Sequence, residues 1–235
     1  MLHNRDPLLT LISDKLLVRD FVASRIDTQY LIPLLWSGSL PNNIPYSYLP
    51  KKFVIKTNHG CGYVILVKDK NRLVREEVNR LLLSWLRTNF CTDTYLGSEW
   101  AYKHITPRII VEQFIGDSDK APEDYKFYCF HGKVEFLTVH YGRFAEHKTR
   151  SFDRNFQPYD FKYDFDQWEG YCEKPINFVE MVRIAELLAA DFDFMRVDLY
   201  NVNGKIYFGE LTPYPGGVST KFLPRYRDYY LGSLW

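Results

Sequence analysis

No stretch of this chain approaches the roughly 20 consecutive apolar residues that a membrane-spanning helix needs, so no transmembrane segment is expected. The N-terminus does not read as a secretory leader, because Asp6, Asp14 and Lys15 interrupt any apolar run. Cysteine is scarce. The four present (Cys61, Cys91, Cys129 and Cys172) lie far apart with no C-x-x-C spacing, which supports neither a zinc site nor a disulfide framework. A reduced, cytoplasmic setting is expected. An excess of one charge is missing too: 30 Lys and Arg face 29 Asp and Glu, leaving a net charge of +1. That balance provides no field for nonspecific nucleic-acid binding. There is no internal repeat and no low-complexity segment.

What is present points to a packed globular chain. Hydrophobic residues make up 46% and charged residues 25% of 235 positions, enough for one large or two small domains. The 18 Tyr and 17 Phe suggest clefts with aromatic walls or an aromatic core.

The most informative stretch runs from Phe194 to Pro213. Two segments rich in β-branched and aromatic residues flank Asn203-Gly204, a strong hairpin signal. Loop length decides which side chains meet. A two-residue loop puts Asp198 and Glu210 on opposite faces, because side chains alternate with period two. A three-residue loop over Val202, Asn203 and Gly204 pairs Asp198 with Phe208 and brings Arg196, Asp198, Glu210 and Thr212 to one face, with Arg196 opposite Glu210. The three-residue loop is expected, since it prefers Gly in its third position. Two carboxylates and a hydroxyl oxygen beside an Arg suit a hard cation such as Mg²⁺, whose remaining positions phosphates can fill.

Upstream, residues 7–25 carry apolar residues at helical spacing after Pro7, which predicts a helix. Residues 37–50, with Pro41, Pro45 and Pro50, predict a loop. Lys52–Thr57 and Tyr63–Val67 read as strands joined by Asn58-His59-Gly60-Cys61-Gly62. Gly60 and Gly62 let backbone N–H groups approach an anion closely, and Lys56 can reach the same anion. Residues 74–89 predict an amphipathic helix. Pro107 to Ile115 reads as a buried strand carrying Glu112, and Asp124 to Phe136 as a hairpin turning at His131-Gly132. Arg143, Lys148 and Arg150 follow in a polar stretch, and guanidinium forks there match a carboxylate or sugar-acid substrate. Residues 151–174, dense in aromatics, read as an irregular cap over an acceptor or as a partner surface. Asn177 with Glu180 resembles a capping box opening a helix to about Ala190. A last short helix is expected over 228–235.

These words in this order (K-F-V-I-K-T-N-H-G, P-R-I-I-V-E, D-Y-K-F-Y-C-F-H-G-K and R-V-D-L-Y … F-G-E-L-T) resemble the teichuronopeptide-biosynthesis branch of the ATP-grasp proteins. The resemblance covers most of the chain and is weakest over 151–174. It implies an α+β fold of two lobes with antiparallel sheets clasping ATP, without a full Rossmann-like domain ahead of Ser13. The implied divisions are a helical segment at 1–30, an N-terminal lobe at 31–115 with the phosphate-lid hairpin and hinge strand, and a C-terminal lobe at 116–235 with the metal-binding hairpin. The resemblance further implies ATP and Mg²⁺ as cofactors. Asp198 and Glu210 would be the metal ligands, with Thr212 standing where Asn is usual. Arg196 would stabilise a tetrahedral intermediate, and Lys126 would point toward the phosphates or the acceptor. Lys15 and Lys56, with Gly60 and Gly62, would contact the phosphates. Glu112, Gln113 and Phe114 would lie at the adenine. The implied activity is ATP-dependent carboxylate–amine ligation through an acyl phosphate, joining an amino acid to a sugar acid of cell-surface polysaccharide. Acceptor binding would come from the lobes themselves, from a homo-oligomer, or from a glycan-assembly partner. A kinase of the same fold and a non-catalytic nucleotide-binding component are the rival readings.

Overall fold

Two antiparallel sheets, of four and five strands, carry most of the chain's buried side chains. The computed structural model describes residues 4–93, 99–116, 121–142, 146–159, 162–163, 166–218 and 222–235. The chain divides into two compact units, Met1–Phe21 with Ile32–Ile115 and Val22–Leu31 with Gly116–Trp235. Residues 1–30 are therefore shared between the units.

The first unit contains α1 (Pro7–Ser13), the start of α2 (Val18–Arg25), β1 (Leu34–Gly38), β2 (Phe53–Thr57), β3 (Val64–Val67), α3 (Arg75–Arg87), α4 (Phe90–Asp93) and β4 (Ile109–Gln113). Its four strands run in the order β1-β4-β2-β3, every neighbour antiparallel. Phe53, Ile55, Ile109 and Val111 point to one face and pack with Val78 and Leu82 of α3. Each such fully buried side chain contributes about 1.5–3 kcal/mol. Lys56 and Glu112 stand on the opposite face.

Two expectations for this unit change. The helix over 7–25 is broken, because the Asp14 carboxylate accepts from the Leu16 and Leu17 amides at 2.8 and 3.2 Å and so replaces helical hydrogen bonds. The loop expected from 37 begins two residues later: β1 stays paired with β4 as far as Gly38 opposite Ile109.

The second unit contains β5 (Asp124–Phe130), β6 (Lys133–Tyr141), β7 (Lys148–Asp153), β8 (Lys162–Tyr163), α5 (Phe178–Ala189), β9 (Phe194–Val202), β10 (Lys205–Thr212), β11 (Phe222–Leu223) and α6 (Arg225–Ser233). Its main sheet has the order β10-β9-β5-β6-β7, again wholly antiparallel. One face is apolar. There Phe127, Leu137, Val139, Val197 and Leu199 are fully buried, and α5 packs on β5, β6 and β9 through Met181, Ile184, Ala185 and Leu188. Asn177 does not cap α5 through its side chain. Its amide bridges instead to the hairpin, donating to Gly204 O at 2.7 Å and accepting from Asn201 Nδ2 at 2.6 Å.

Candidate functional site

The other face of the second sheet carries a polar row, and the hairpin of β9 and β10 centres it. Asn203 and Gly204 both adopt left-handed backbone, at φ 52° and 79°, and form a two-residue loop with Val202 opposite Lys205. The expected three-residue loop is absent. Parity is restored further along, where the register shifts between Phe208 and Glu210 and Gly209 is the extra residue. Glu210 thereby lies directly opposite Asp198, and Thr212 opposite Arg196. The site tolerates only a small residue at the bulge, because a Cβ on Gly209 would lie 3.0 Å from the Asp198 carbonyl oxygen and 3.0 Å from the Tyr200 ring. The four residues share a face as expected, but the odd residue that aligns them sits in the strand.

Across β5 the row continues, since Lys126 pairs with Asp198 in register. Asp198, 3% exposed, binds two cations. Arg196 donates from Nε and Nη2 to the two carboxylate oxygens at 2.7 and 2.8 Å, and Lys126 Nζ bonds Oδ2. Lys126 also pairs with Asp124 at 2.8 Å. Burial opposes the Arg196 charge, yet the Asp198 carboxylate overrides it and holds the guanidinium pKa above its ordinary value. The Thr212 hydroxyl accepts from Arg196 Nη2 at 2.9 Å, so it positions the guanidinium. Glu210 stands 3.8 Å from the same nitrogen.

One strand further, Thr138 pairs with Lys126 and His140 with Asp124. His140 bonds Thr138 Oγ1 at 3.1 Å through Nε2 and His147 at 2.9 Å through Nδ1. Burial, reinforced by the Lys126 charge, pushes His140 down to about 2, although Asp198 acts in the other direction. The imidazole is neutral at physiological pH. Below the ordinary histidine pKa of 6.5 the unfolded chain takes up a proton that the folded chain refuses. Its stabilising contribution is complete above that value and falls as the pH drops, by about 1.4 kcal/mol per pH unit. His59, also pushed down by burial, adds to the same slope. In urea denaturation between about pH 6.5 and pH 5, His140→Gln is expected to flatten the loss of stability; an unchanged slope would remove His140 as its source.

The first unit carries its own polar cluster. Lys56 Nζ pairs with Glu112 at 2.7 Å, and Arg19 with the same carboxylate at 3.4 Å. Glu112 therefore faces its cations, away from the apolar core. Lys15 donates to the Gly60 carbonyl at 2.7 Å, which fixes its ammonium against the glycine loop. Gly62 has φ 79°, and a Cβ at Gly60 would lie 2.9 Å from the Tyr63 ring. His59 turns inward, bonding the Trp85 carbonyl at 3.0 Å. The Gln113 amide donates to Pro33 O at 3.0 Å, so its backbone donor is already engaged; Phe114 is half-buried beside it.

One expected residue does not join the polar row. Arg150 pairs in register with Val139 and so belongs to the opposite face, where its Nη1 donates to the Trp168 carbonyl at 3.1 Å. Arg143 lies outside the described residues. Several participants were not singled out by the sequence. Asn58, fully buried, donates to Asp14 at 2.9 Å and to Thr106 O at 3.0 Å, and accepts from the Arg108 amide at 2.7 Å, anchoring the glycine loop. Asp124 and His140 were legible in principle, through alternation from Lys126 and the turn at His131-Gly132.

The donor set fits Mg²⁺. Among the described residues no three His, Cys, Asp and Glu converge on a cage, whereas two opposed carboxylates suit an ion completed by phosphates and water. Asp198 Oδ1 accepts one bond, from Arg196 Nε, and keeps a lone pair for a metal.

No curated protein matches the chain. Among solved structures, D-alanine–D-alanine ligase from Bacillus anthracis is similar at 21% identity and a TM-score of 0.52, over 96% of this chain and 64% of that one. A complex of that organism's ligase with ATP gives 14% and 0.51, over 89% and 56%. Phosphoribosylamine–glycine ligase from Thermotoga maritima gives 11% and 0.51, over 87% and 48%. The chain thus spans 48–64% of the length of these ligases, and at such identities the likeness is one of fold. Over residues 1–235 the sequence matches the model of the TupA-like ATP-grasp proteins, and the chain belongs to that family.

Proposed function

We propose that this chain is an ATP-dependent carboxylate–amine ligase that uses Mg²⁺. The observation that carries the reading is the row Glu210–Asp198–Lys126 with Arg196 beside it, set on the polar face of a sheet in an ATP-grasp chain. When bound, Mg²⁺ neutralises phosphate charge during transfer. Asp198 and Glu210 hold it, as two carboxylates suffice when phosphates complete the shell. Lys126, Lys15, Lys56 and the amides of the 58–62 loop position phosphates, and positioning with electrostatics is most of what phosphoryl transfer requires. The hinge strand end at Gln113 and Phe114 serves the adenine, with Phe114 offering its ring and the Gln113 carbonyl an acceptor.

In the reaction a carboxylate oxygen attacks the γ-phosphorus, releasing ADP and leaving an acyl phosphate. An amine then attacks the acyl carbon, loses a proton, and expels inorganic phosphate as the amide forms. Arg196 neutralises the oxyanion of that second step. The resemblance to the teichuronopeptide-biosynthesis branch supports a carboxylate drawn from the sugar acids of cell-surface polysaccharide and an amine drawn from the amino acids. Residues 31–115 and 116–235 act as the two catalytic lobes.

The test is a coupled ADP-release screen of amino acids against uronic-acid glycans with Mg²⁺-ATP, the products being weighed by mass spectrometry. A product with the mass of both substrates less one water supports the ligase. A stable phosphoester would replace this reading with a kinase, and nucleotide binding without turnover would replace it with a non-catalytic component.

A further inference from the structure

An aromatic cavity lies two residues along the strands from the catalytic row. It has a volume of about 190 Å³ and is walled by Phe130, Phe136, Phe194, Phe222 and Trp235, beneath Leu231 of α6. Tyr128 forms its floor, and Tyr128 pairs in register with Arg196 and with Phe136. Alternation places Tyr128 on the face of Lys126, so the cavity and the polar row occupy one side of the sheet.

The rings are arranged as an edge-and-face box. Tyr128 stacks on Phe136 at 4.3 Å and Phe194 on Trp235 at 4.9 Å, while Phe130 meets Phe194 at 64° and Phe222 meets Phe136 at 86°. Tyr128 and Phe136 are buried against one another, and the half-buried Phe194 and Phe222 with the exposed Trp235 leave ring edges to a guest that is itself aromatic. The volume suits one ring, given that an apolar cavity of about 150 Å³ takes benzene. Asp228 is exposed and, among the described residues, supplies the single charged group of the lining. A pyranose would bring several hydroxyls into a box that has few partners for them, each costing about 1–3 kcal/mol if left unpaired. A cationic amine is matched by Asp228.

We propose that this cavity binds the amine co-substrate, and that this co-substrate carries an aromatic ring, as an aromatic amino acid does. The role as a co-substrate rests on the ligase reading; the binding of an aromatic amine does not. The ring enters beside Phe194, Phe222 and Trp235, over the buried Phe136, and the ammonium faces Asp228 at the mouth. Deprotonated, the same amine lies on the side of the sheet that carries Arg196.

The experiment is calorimetric titration of the intact chain with L-phenylalanine and L-tryptophan, with L-alanine and glucuronic acid as comparisons. The aromatic amino acids are expected to bind at least about tenfold more tightly than L-alanine. Asp228→Asn, a surface change, is expected to weaken them by about threefold, and Leu231→Trp, which fills the cavity, to abolish binding; thermal melts establish that both variants fold. Equal affinity for L-alanine, tighter binding of glucuronic acid, or aromatic binding indifferent to Asp228→Asn would overturn the assignment. The two readings fail separately. Aromatic binding without ADP release keeps the cavity and removes the ligase, whereas ADP release that requires a non-aromatic amine keeps the ligase and removes the cavity's role.

Discussion

Asp198→Asn is expected to destabilise the second unit by about 3–5 kcal/mol, whereas Glu210→Gln should cost less than about 1 kcal/mol, although each stops ADP release. The two acids are opposed in register and would share an ion, yet they are held very differently. Asp198 is buried and is the partner of both Lys126 and Arg196, so removing its charge strands two cations out of water. Glu210 is only half-buried, and the guanidinium lies 3.8 Å away. Urea denaturation without nucleotide measures the first difference. Turnover of Mg²⁺-ATP, taken well below each variant's melting temperature, measures the second. An Asp198→Asn chain as stable as the parent would mean that the Lys126–Asp124 pair suffices to hold the cluster. Undiminished ADP release by Glu210→Gln would remove that residue from the metal site.

The hairpin also shows how far a sequence can be read. Asn203-Gly204 announces the turn, and alternation of β-branched and aromatic residues announces the strands. Asp198 and Glu210 do share a face, but the odd residue is Gly209 and not a third loop residue, because a Gly inside a strand run signals a bulge no more strongly than it signals a loop. What requires a glycine at 209 is the close approach of the Asp198 carbonyl and the Tyr200 ring, which the sequence does not show. Arg150 illustrates a different limit. Its face depends on the register of β7 against β6, and nothing local fixes that pairing. The ion pairs of Asp198 were half legible. Arg196 is two residues away on the same strand and so shares its face, while Lys126 is 72 positions earlier and meets it only through the sheet order β9-β5. Asn58 was hidden for a similar reason: its partners at Asp14, Thr106 and Arg108 come from three separate stretches. Strand existence and turn chemistry are local properties, whereas register and long-range polar contacts are not.

Arg196→Lys keeps the positive charge and should still lower kcat by about 10²–10³, equivalent to about 2.7–4 kcal/mol, by analogy with loss of an oxyanion donor. The guanidinium holds both Asp198 oxygens and Thr212 Oγ1 at once. A lysine ammonium is a single point donor on a flexible stem and cannot hold all three in that plane. Two outcomes follow from where Arg196 acts. If it serves the tetrahedral adduct, a rapid-quench experiment finds the first-turnover burst of ADP intact and only amide formation slowed, since acyl phosphate then accumulates. If it serves phosphoryl transfer, the burst itself slows by the same factor. Thr212→Val separates aiming from charge: the guanidinium stays paired with Asp198 and loses one hydrogen bond, so a smaller loss of about tenfold is expected. A kcat within about threefold of the parent for Arg196→Lys would show that the charge alone suffices and that the fork with Asp198 belongs to the fold rather than to the chemistry.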